Sequence, residues 1–265
     1  FRSRRFRLSD ENKKKWRAFR RNRRGLYSLI VLGTLVFLSL FAELLANSRP
    51  LVVVYEGELY FPIFESYPET TFGGDFVVEA NYRDPYILEK ITSGENWALF
   101  PPIPRDYRTI DFELRQPNPA RPQGTHVLGT DDRGRDVAAR LLYGFRISVL
   151  FGLGLAIIGT ALGIAIGAVQ GYLGGWTDLF GQRFIEIWSA MPELYLLIIF
   201  SAVFTPSIWL LLVLLSLFGW IGLSDYVRAE FLRNRQLDHV RAARAMGQSN
   251  WQIIRRHILP NSMTP

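Results

Sequence analysis

The densest group of side chains able to do chemistry lies between His126 and Arg146. His126, Asp131, Asp132 and Asp136 are residue types that can hold a divalent cation. Their spacing fits no calcium loop, however, and Arg133 and Arg135 stand among the acids and neutralise them. The expectation is a solvated turn whose charges pair with one another, and no metal. The rest of the chain is poorer still in reactive sets. Cysteine is absent, which excludes a disulfide framework and a thiolate metal site. No GxxxxGK[ST] loop is present to cradle a nucleotide phosphate. The other histidines, His239 and His257, stand in no Ser/His/Asp arrangement. The expected catalytic set is none, with no cofactor bound by this chain.

The elements that must carry these residues are apolar runs. A helix needs roughly 20 apolar residues to cross a bilayer core of about 30 Å. The run 26–46 satisfies this with only Glu43 charged, and 147–169 does so with no charge at all. Two further runs, 184–204 and 208–224, complete a set of four. Within 147–169 and just beyond, Gly159, Gly163, Gly167 and Gly171 recur every fourth residue. Small residues at that spacing let a second helix approach closely, since packing and not hydrophobicity drives association in lipid. A short loop is expected at 171–178. Glu186, Pro192 and Glu193 fall inside the third run; charges there face a protein interior or a water path, and Pro192 can kink the helix. They are candidate path residues, with a helix-end or inter-subunit hydrogen bond as the plainer alternative.

Charge gives the orientation. Residues 1–24 hold twelve Lys/Arg against Asp10 and Glu11, a net of +10. A basic head can signal nucleic acid, but this one ends directly at a membrane run, where juxtamembrane cations set topology. It is too long for the charged region of a cleavable signal peptide. Four spans return the tail 221–265, net +4, to the side of the head. The polar insert 48–140, net −5, then lies on the opposite side. Alternating Leu51, Val53, Tyr55 and Leu59, Phe61 around Glu56-Gly57 predict a β-hairpin at its start. Pro101, Pro102, Pro104, Pro117, Pro119 and Pro122 predict a folded or wrapped loop and not a tidy domain with a large core.

The tail carries the most organised stretch, DHVRAARAMGQSNWQIIRRHILP from Asp238 to Pro260. Good helix formers run from Asp238 to Met246, and Gly247 suits a left-handed helix stop. Ser249 with Gln252 reads as a capping box for a second helix that Pro260 ends. The outcome is a basic elbow with Ala242, Ala243, Ala245 and Gly247 placed for close approach by a partner.

Ala242, Ala243, Gly247, Leu259 and Pro260 resemble the EAA cytoplasmic loop of ABC-importer permeases, with Arg241 where that family has its glutamate. The insert's last segment resembles HxLGTDxxGRDxxxRxxxGxRxSL of the dipeptide/oligopeptide permeases. It matches at His126, Leu128, Gly129, Thr130, Asp131, Gly134, Arg135, Asp136, Arg140, Gly144, Arg146 and Ser148, with Val149 for the closing Leu. The stretches 181–199 and 227–247, with the long aromatic insert, look most similar to the Yej-type branch associated with peptide and microcin C uptake. This resemblance implies an all-α polytopic membrane protein, a type I ABC-importer transmembrane domain with a periplasmic insert containing some β structure. It divides as 1–24 basic cytoplasmic segment, 25–47 first transmembrane helix, 48–140 periplasmic insert and 141–265 permease core. Within that core 225–265 is the coupling loop, and two further helices of the family are expected beyond this chain.

The resemblance further implies that Asp238, Arg241, Ala242, Ala243, Arg244, Ala245, Met246, Gly247 and Ser249 contact cytoplasmic ATPase subunits, two separate or fused, which bind ATP and Mg. A second homologous permease making a heterodimer, a periplasmic peptide-binding protein and the bilayer are the other partners, and nucleic acid is not one. The location implied is the bacterial inner membrane, with a cytoplasmic N-terminus. Other readings remain open: a nickel or small-solute ABC permease, a secondary transporter or channel, or an anchored scaffold acting through 48–140.

Overall fold

The structure, a computed structural model, describes residues 10–262 apart from 113, 115 and 125. Residues 1–9 of the basic head fall outside the described residues. Two compact units divide the chain, 1–149 and 150–265.

In the first unit, α1 (Asp10–Arg21) is followed by Asn22, whose side chain accepts from the Gly25 amide (3.2 Å) and starts α2 (Arg23–Leu40). The apolar run expected to be one helix over 26–46 is interrupted at Phe41, and a short α3 (Ala42–Leu45) follows. The insert then forms β1 (Val52–Tyr55) and β2 (Glu58–Tyr60), turning at Glu56 (φ 51°) and Gly57 (φ 82°). Positive φ at both positions is what a two-residue hairpin turn of type I′ demands. After a 3₁₀ turn at Glu69–Phe72, α4 (Pro85–Thr92) begins with the Asp84 carboxylate accepting from the Tyr86 amide (2.9 Å). β3 (Trp97–Leu99) pairs antiparallel with the other edge of β1, giving the order β2-β1-β3.

These elements enclose Val53, Phe72, Ile87 and Ile91, all fully buried, with Tyr60 and Tyr67 edge-on to Phe72 at 5.3 and 6.2 Å. Where the sequence predicts a folded or wrapped loop without a large core, residues 52–99 fold around this small aromatic one. The aromatic residues there satisfy one another, and the proline-dense part begins only at Pro101.

Helix α5 (Val137–Leu173) is 37 residues long and continues from the first unit's residues into the second's. It begins well before the expected 147. At 1.5 Å per residue it is about 55 Å long, far more than a bilayer core requires. Gly174 alone separates it from α6 (Gly175–Ser189), so the loop expected at 171–178 is a single residue. The third run is not one helix either: α6 and α7 (Glu193–Val203) meet at a 67° bend at Pro192, where the sequence predicts a kink. The fourth consists of α8 (Ile208–Ser216), a turn, and α9 (Ile221–Asn234). That helix takes up 225–234, which the sequence had assigned to the coupling loop. Among the described residues, α2, α5 and the stretch Ile208–Asn234 are long and apolar enough to cross a membrane. The bent α6–α7 pair makes a fourth if counted as one span.

The glycine face of α5 lies against α9. A methyl group added at Gly163 would fall 2.9 Å from Leu223 Cβ, at Gly167 2.9 Å from Val227 Cβ, and at Gly171 2.6 Å from Phe231 Cβ. Gly159 meets the Gly219 carbonyl oxygen at 3.2 Å by the same measure, and Gly152 meets nothing within 4 Å. Overpacking a close seam costs about 1–3 kcal/mol, and more where backbone must move. Gly167→Leu is expected to lower the melting temperature of the purified protein in detergent, and Gly152→Ala not to lower it. Equal melting of Gly167→Leu and wild type contradicts the close approach.

Candidate functional site

The tail folds as the caps dictate. α10 (Asp238–Ala245) stops at Gly247, whose φ of +75° closes the helix without a Cβ penalty. The Ser249 hydroxyl accepts from the Gln252 amide (3.4 Å) while the Gln252 side chain accepts from the Ser249 amide (3.2 Å), and α11 (Asn250–Ile253) follows. A π turn at Ile254–Ile258 leads into α12 (Leu259–Ser262). The helical path thus passes through Pro260, where the sequence predicted its end. A proline ring clashes with the carbonyl four residues back in a regular α-helix, and a π turn just before it displaces that carbonyl.

One core joins this elbow to the membrane helices. Val240, Ala243, Ile253 and Ile258 bury themselves against Ala168 and Tyr172 of α5 and Val227 and Phe231 of α9. The Tyr172 hydroxyl donates to Asn250 Oδ1 (2.8 Å), and the Asn234 side-chain amide donates to the Ser262 hydroxyl (3.0 Å). Arg228 of α9 grips Asp178 of α6 with two bonds, one of 2.7 Å from Nη2 to Oδ2. The nine residues singled out as a contact set accordingly divide. Asp238, Arg241, Ala242, Arg244, Ala245, Met246, Gly247 and Ser249 are exposed. Ala243 is fully buried in the shared core and presents nothing to a partner. Tyr172, Asn250, Asp178 and Arg228 were missed by sequence reasoning, because their partners lie tens of residues away with no local signature.

The three path candidates lie on either side of the bend between α6 and α7. Glu186 on α6 is exposed and accepts from Arg183 Nη1 (2.5 Å). Pro192 precedes α7, and Glu193 in its first turn lines an apolar cavity of about 230 Å³ with Trp188, Phe200 and Leu214.

The acidic turn of the insert is built differently from expectation. Asp131 does pair locally: it accepts from the Arg133 and Arg135 amides (both 2.9 Å), from Arg135 Nε (2.8 Å) and from Arg140. His126 and Asp136, however, are buried and not solvated. His126 Nδ1 meets Asp136 Oδ2 at 2.7 Å and Nε2 meets Asp111 Oδ2 at 3.0 Å, and Asp111 also accepts from Arg105 (2.6 Å). The other oxygen of Asp136 accepts from the Ala139 amide (2.9 Å) at the start of α5. Both ring nitrogens of His126 are thus engaged by carboxylates, and the cluster fastens residues 105–126 to the head of α5. Among the described residues no group of three His, Cys, Asp or Glu side chains has the arrangement of a metal site. Glu43, charged inside the first apolar run, accepts from Arg146 Nη1 through both oxygens (2.7 and 2.8 Å).

Several apolar helices, one of them broken, and a capped polar elbow rooted in two of them define a polytopic helical membrane protein. Residues 147–265 match the family described as binding-protein-dependent transport system inner membrane component. Residues 13–58 match the N-terminal TM domain of oligopeptide transport permease C. The inner membrane ABC transporter permease protein YejE of Escherichia coli (strain K12) is 49% identical over 97% of this chain and 75% of its own length. The peptidoglycan transport system permease protein YejE of Agrobacterium fabrum is 44% identical over 97% and 73%. The oligopeptide transport system permease protein OppC of Haemophilus influenzae is 36% identical over 60% and 51%. The chain belongs to the family of inner-membrane permease components of binding-protein-dependent transporters.

Burial alone raises the Asp131 carboxyl, but the Arg135 and Arg133 amides and the Arg135 guanidinium outweigh it and hold it down at about 2. A carboxylate depressed on folding stabilises fully above its unfolded pKa of about 4, and that contribution disappears as pH falls through the folded value. Asp131→Asn is therefore expected to lower the melting temperature at pH 5, with the gap to wild type narrowing steadily towards pH 3. A gap that stays constant over that range contradicts the assignment.

Proposed function

We propose that the chain is a permease subunit of an ATP-driven importer that carries peptides across the bacterial inner membrane by alternating access. The reading rests above all on the elbow: a capped pair of short helices whose buried side shares one core with α5 and α9 while its other side stands exposed. A load applied to the exposed face of α10 displaces the ends of two membrane helices, because the core between them is close-packed and does not yield. In this reading Asp238, Arg241, Ala242, Arg244, Ala245, Met246, Gly247 and Ser249 meet cytoplasmic ATPase subunits, which bind ATP and Mg. The chain itself holds no cofactor and performs no covalent step. The basic head and the basic tail lie on the cytoplasmic side, with the insert facing a peptide-loaded periplasmic binding protein. A second homologous permease completes the pathway.

The substrate class is a peptide. The relatives' names point to peptidoglycan, oligopeptide and dipeptide transport, and the peptide bond is the chemistry these share. In vesicles of the full complex, Gly247→Asp puts a charge and a Cβ on the left-handed residue that ends α10. ATP-dependent uptake of a labelled peptide is expected to fall at least about tenfold, a barrier change of roughly 1.4 kcal/mol, while the subunits still assemble. Uptake equal to wild type would remove the elbow from the transport cycle.

A further inference from the structure

The three-stranded sheet of the first unit is apolar on both of its faces. Successive residues of a strand point to opposite faces, and residues directly opposite across a pair share one. Val53 and Tyr55 of β1, with Tyr60 and Ala98 beside them, turn inward onto the Phe72 core. The other face carries Val52 and Val54 in the middle strand. Leu59 stands opposite Val54 on one side, and Trp97 and Leu99 stand opposite Val54 and Val52 on the other. Leu59, Trp97 and Leu99 are each at least half exposed. An antiparallel sheet with one face in water alternates apolar and polar residues along its strands. These five positions hold no polar side chain, which is the pattern of a sheet covered on both sides.

The composition and place of the face narrow what covers it. Interfaces that form and part are about as polar as the rest of a protein surface, whereas permanent ones are more apolar. A face without one polar side chain suits a permanent neighbour, and tryptophan is among the residue types that most often anchor such contacts. The sheet is also held close to the membrane. Backbone bonds from Leu51 N to the Leu99 carbonyl (2.7 Å), from Asn47 N to that of Ile103 (3.1 Å) and from Ile103 N to that of Leu45 (3.0 Å) tie it to the end of α3. Its far end is acidic. Glu56 lies in the hairpin turn, Glu58 begins β2, and Glu95 precedes Asn96, whose side chain accepts from the Glu56 amide (2.9 Å). All three acids are exposed. Acidic headgroups would repel them, and a second copy of this chain would bring together two inserts of net charge −5.

We propose that the outer face of the sheet is a permanent interface with the second permease subunit, which meets it with an apolar patch and with basic residues opposite the acidic tip. The inference rests on the reading of this chain as one of two permeases, and it adds a place where the two meet outside the membrane. With both faces covered, the sheet becomes an inner layer of the assembled transporter, and the insert is fixed to both subunits.

In the purified full complex, Trp97 is replaced by p-benzoylphenylalanine, the sample is irradiated, and the cross-linked product is identified by mass spectrometry. The product expected joins this chain to the second permease, with and without the binding protein present. A product with the binding protein, with lipid or with another copy of this chain, or no product at all, overturns the interface. Leu99→Asp, at an exposed position of this chain, is expected to lower the second permease recovered with it at least about tenfold, because a charge would be buried unpaired. Recovery equal to wild type overturns the interface as well. A full complex that contains no second permease would instead contradict the proposed function.

Discussion

The second unit depends on how closely α9 can approach α5. Inside a bilayer the helices gain nothing from hiding apolar surface, since lipid is as apolar as leucine, and their association comes from packing. Gly159, Gly163, Gly167 and Gly171 remove side chains along one face, so α9 packs almost backbone to backbone. Each glycine weakens a helix interior by about 1 kcal/mol relative to alanine in water. The seam offsets that cost by contact along three turns. It also fixes where α5 and α9 end relative to each other, and only then can Ala168, Tyr172, Val227 and Phe231 form one floor for the elbow. Asp178 and Arg228 add a two-bond ion pair that holds α6 to the same helix.

The first unit is held by charge in a different way. Asp136 divides its oxygens between the head of α5 and buried His126, and Asp111 closes the chain to Arg105. A buried carboxylate is costly unless it is met by donors, and each of these has a fixed one besides the imidazole, the Ala139 amide for Asp136 and the Arg105 guanidinium for Asp111. Glu43 and Arg146 repeat the arrangement nearer the apolar run, where an unpaired charge is most expensive. The aromatic core around Phe72 gives the hairpin and α4 a stability of their own.

Features with local causes were legible in the sequence. Glu56-Gly57 forces a two-residue turn, and Gly247 and Ser249 with Gln252 set the limits of α10 and α11, because caps act through neighbouring backbone. The apolar runs placed the membrane helices to within several residues. What was not legible has distant causes. The helix α5 starts early because Asp136 caps it, and that cap is held by residues ten and more positions away. Burial of His126 and Asp136 requires Asp111 and Arg105, which no spacing rule connects to them. Nothing local shows that β3 joins β1. Pro260 misled because the displaced carbonyl that accommodates it belongs to a π turn with no sequence mark. The contact set was read as one surface, yet the structure turns one of its members into the core.

The central claim is that the elbow and the ends of α5 and α9 move as one body. The chain has no cysteine, so spin labels can be attached at Ile157→Cys on α5 and Trp251→Cys on α11, both exposed positions. Electron–electron distance measurement on the full complex, nucleotide-free and then trapped with ATP, reads the joint directly. The account predicts one narrow distance distribution that is the same in both states. A shift of about a helical turn, roughly 5 Å, would show that the elbow hinges on its floor, and the rigid coupling argued from the glycine seam would be wrong.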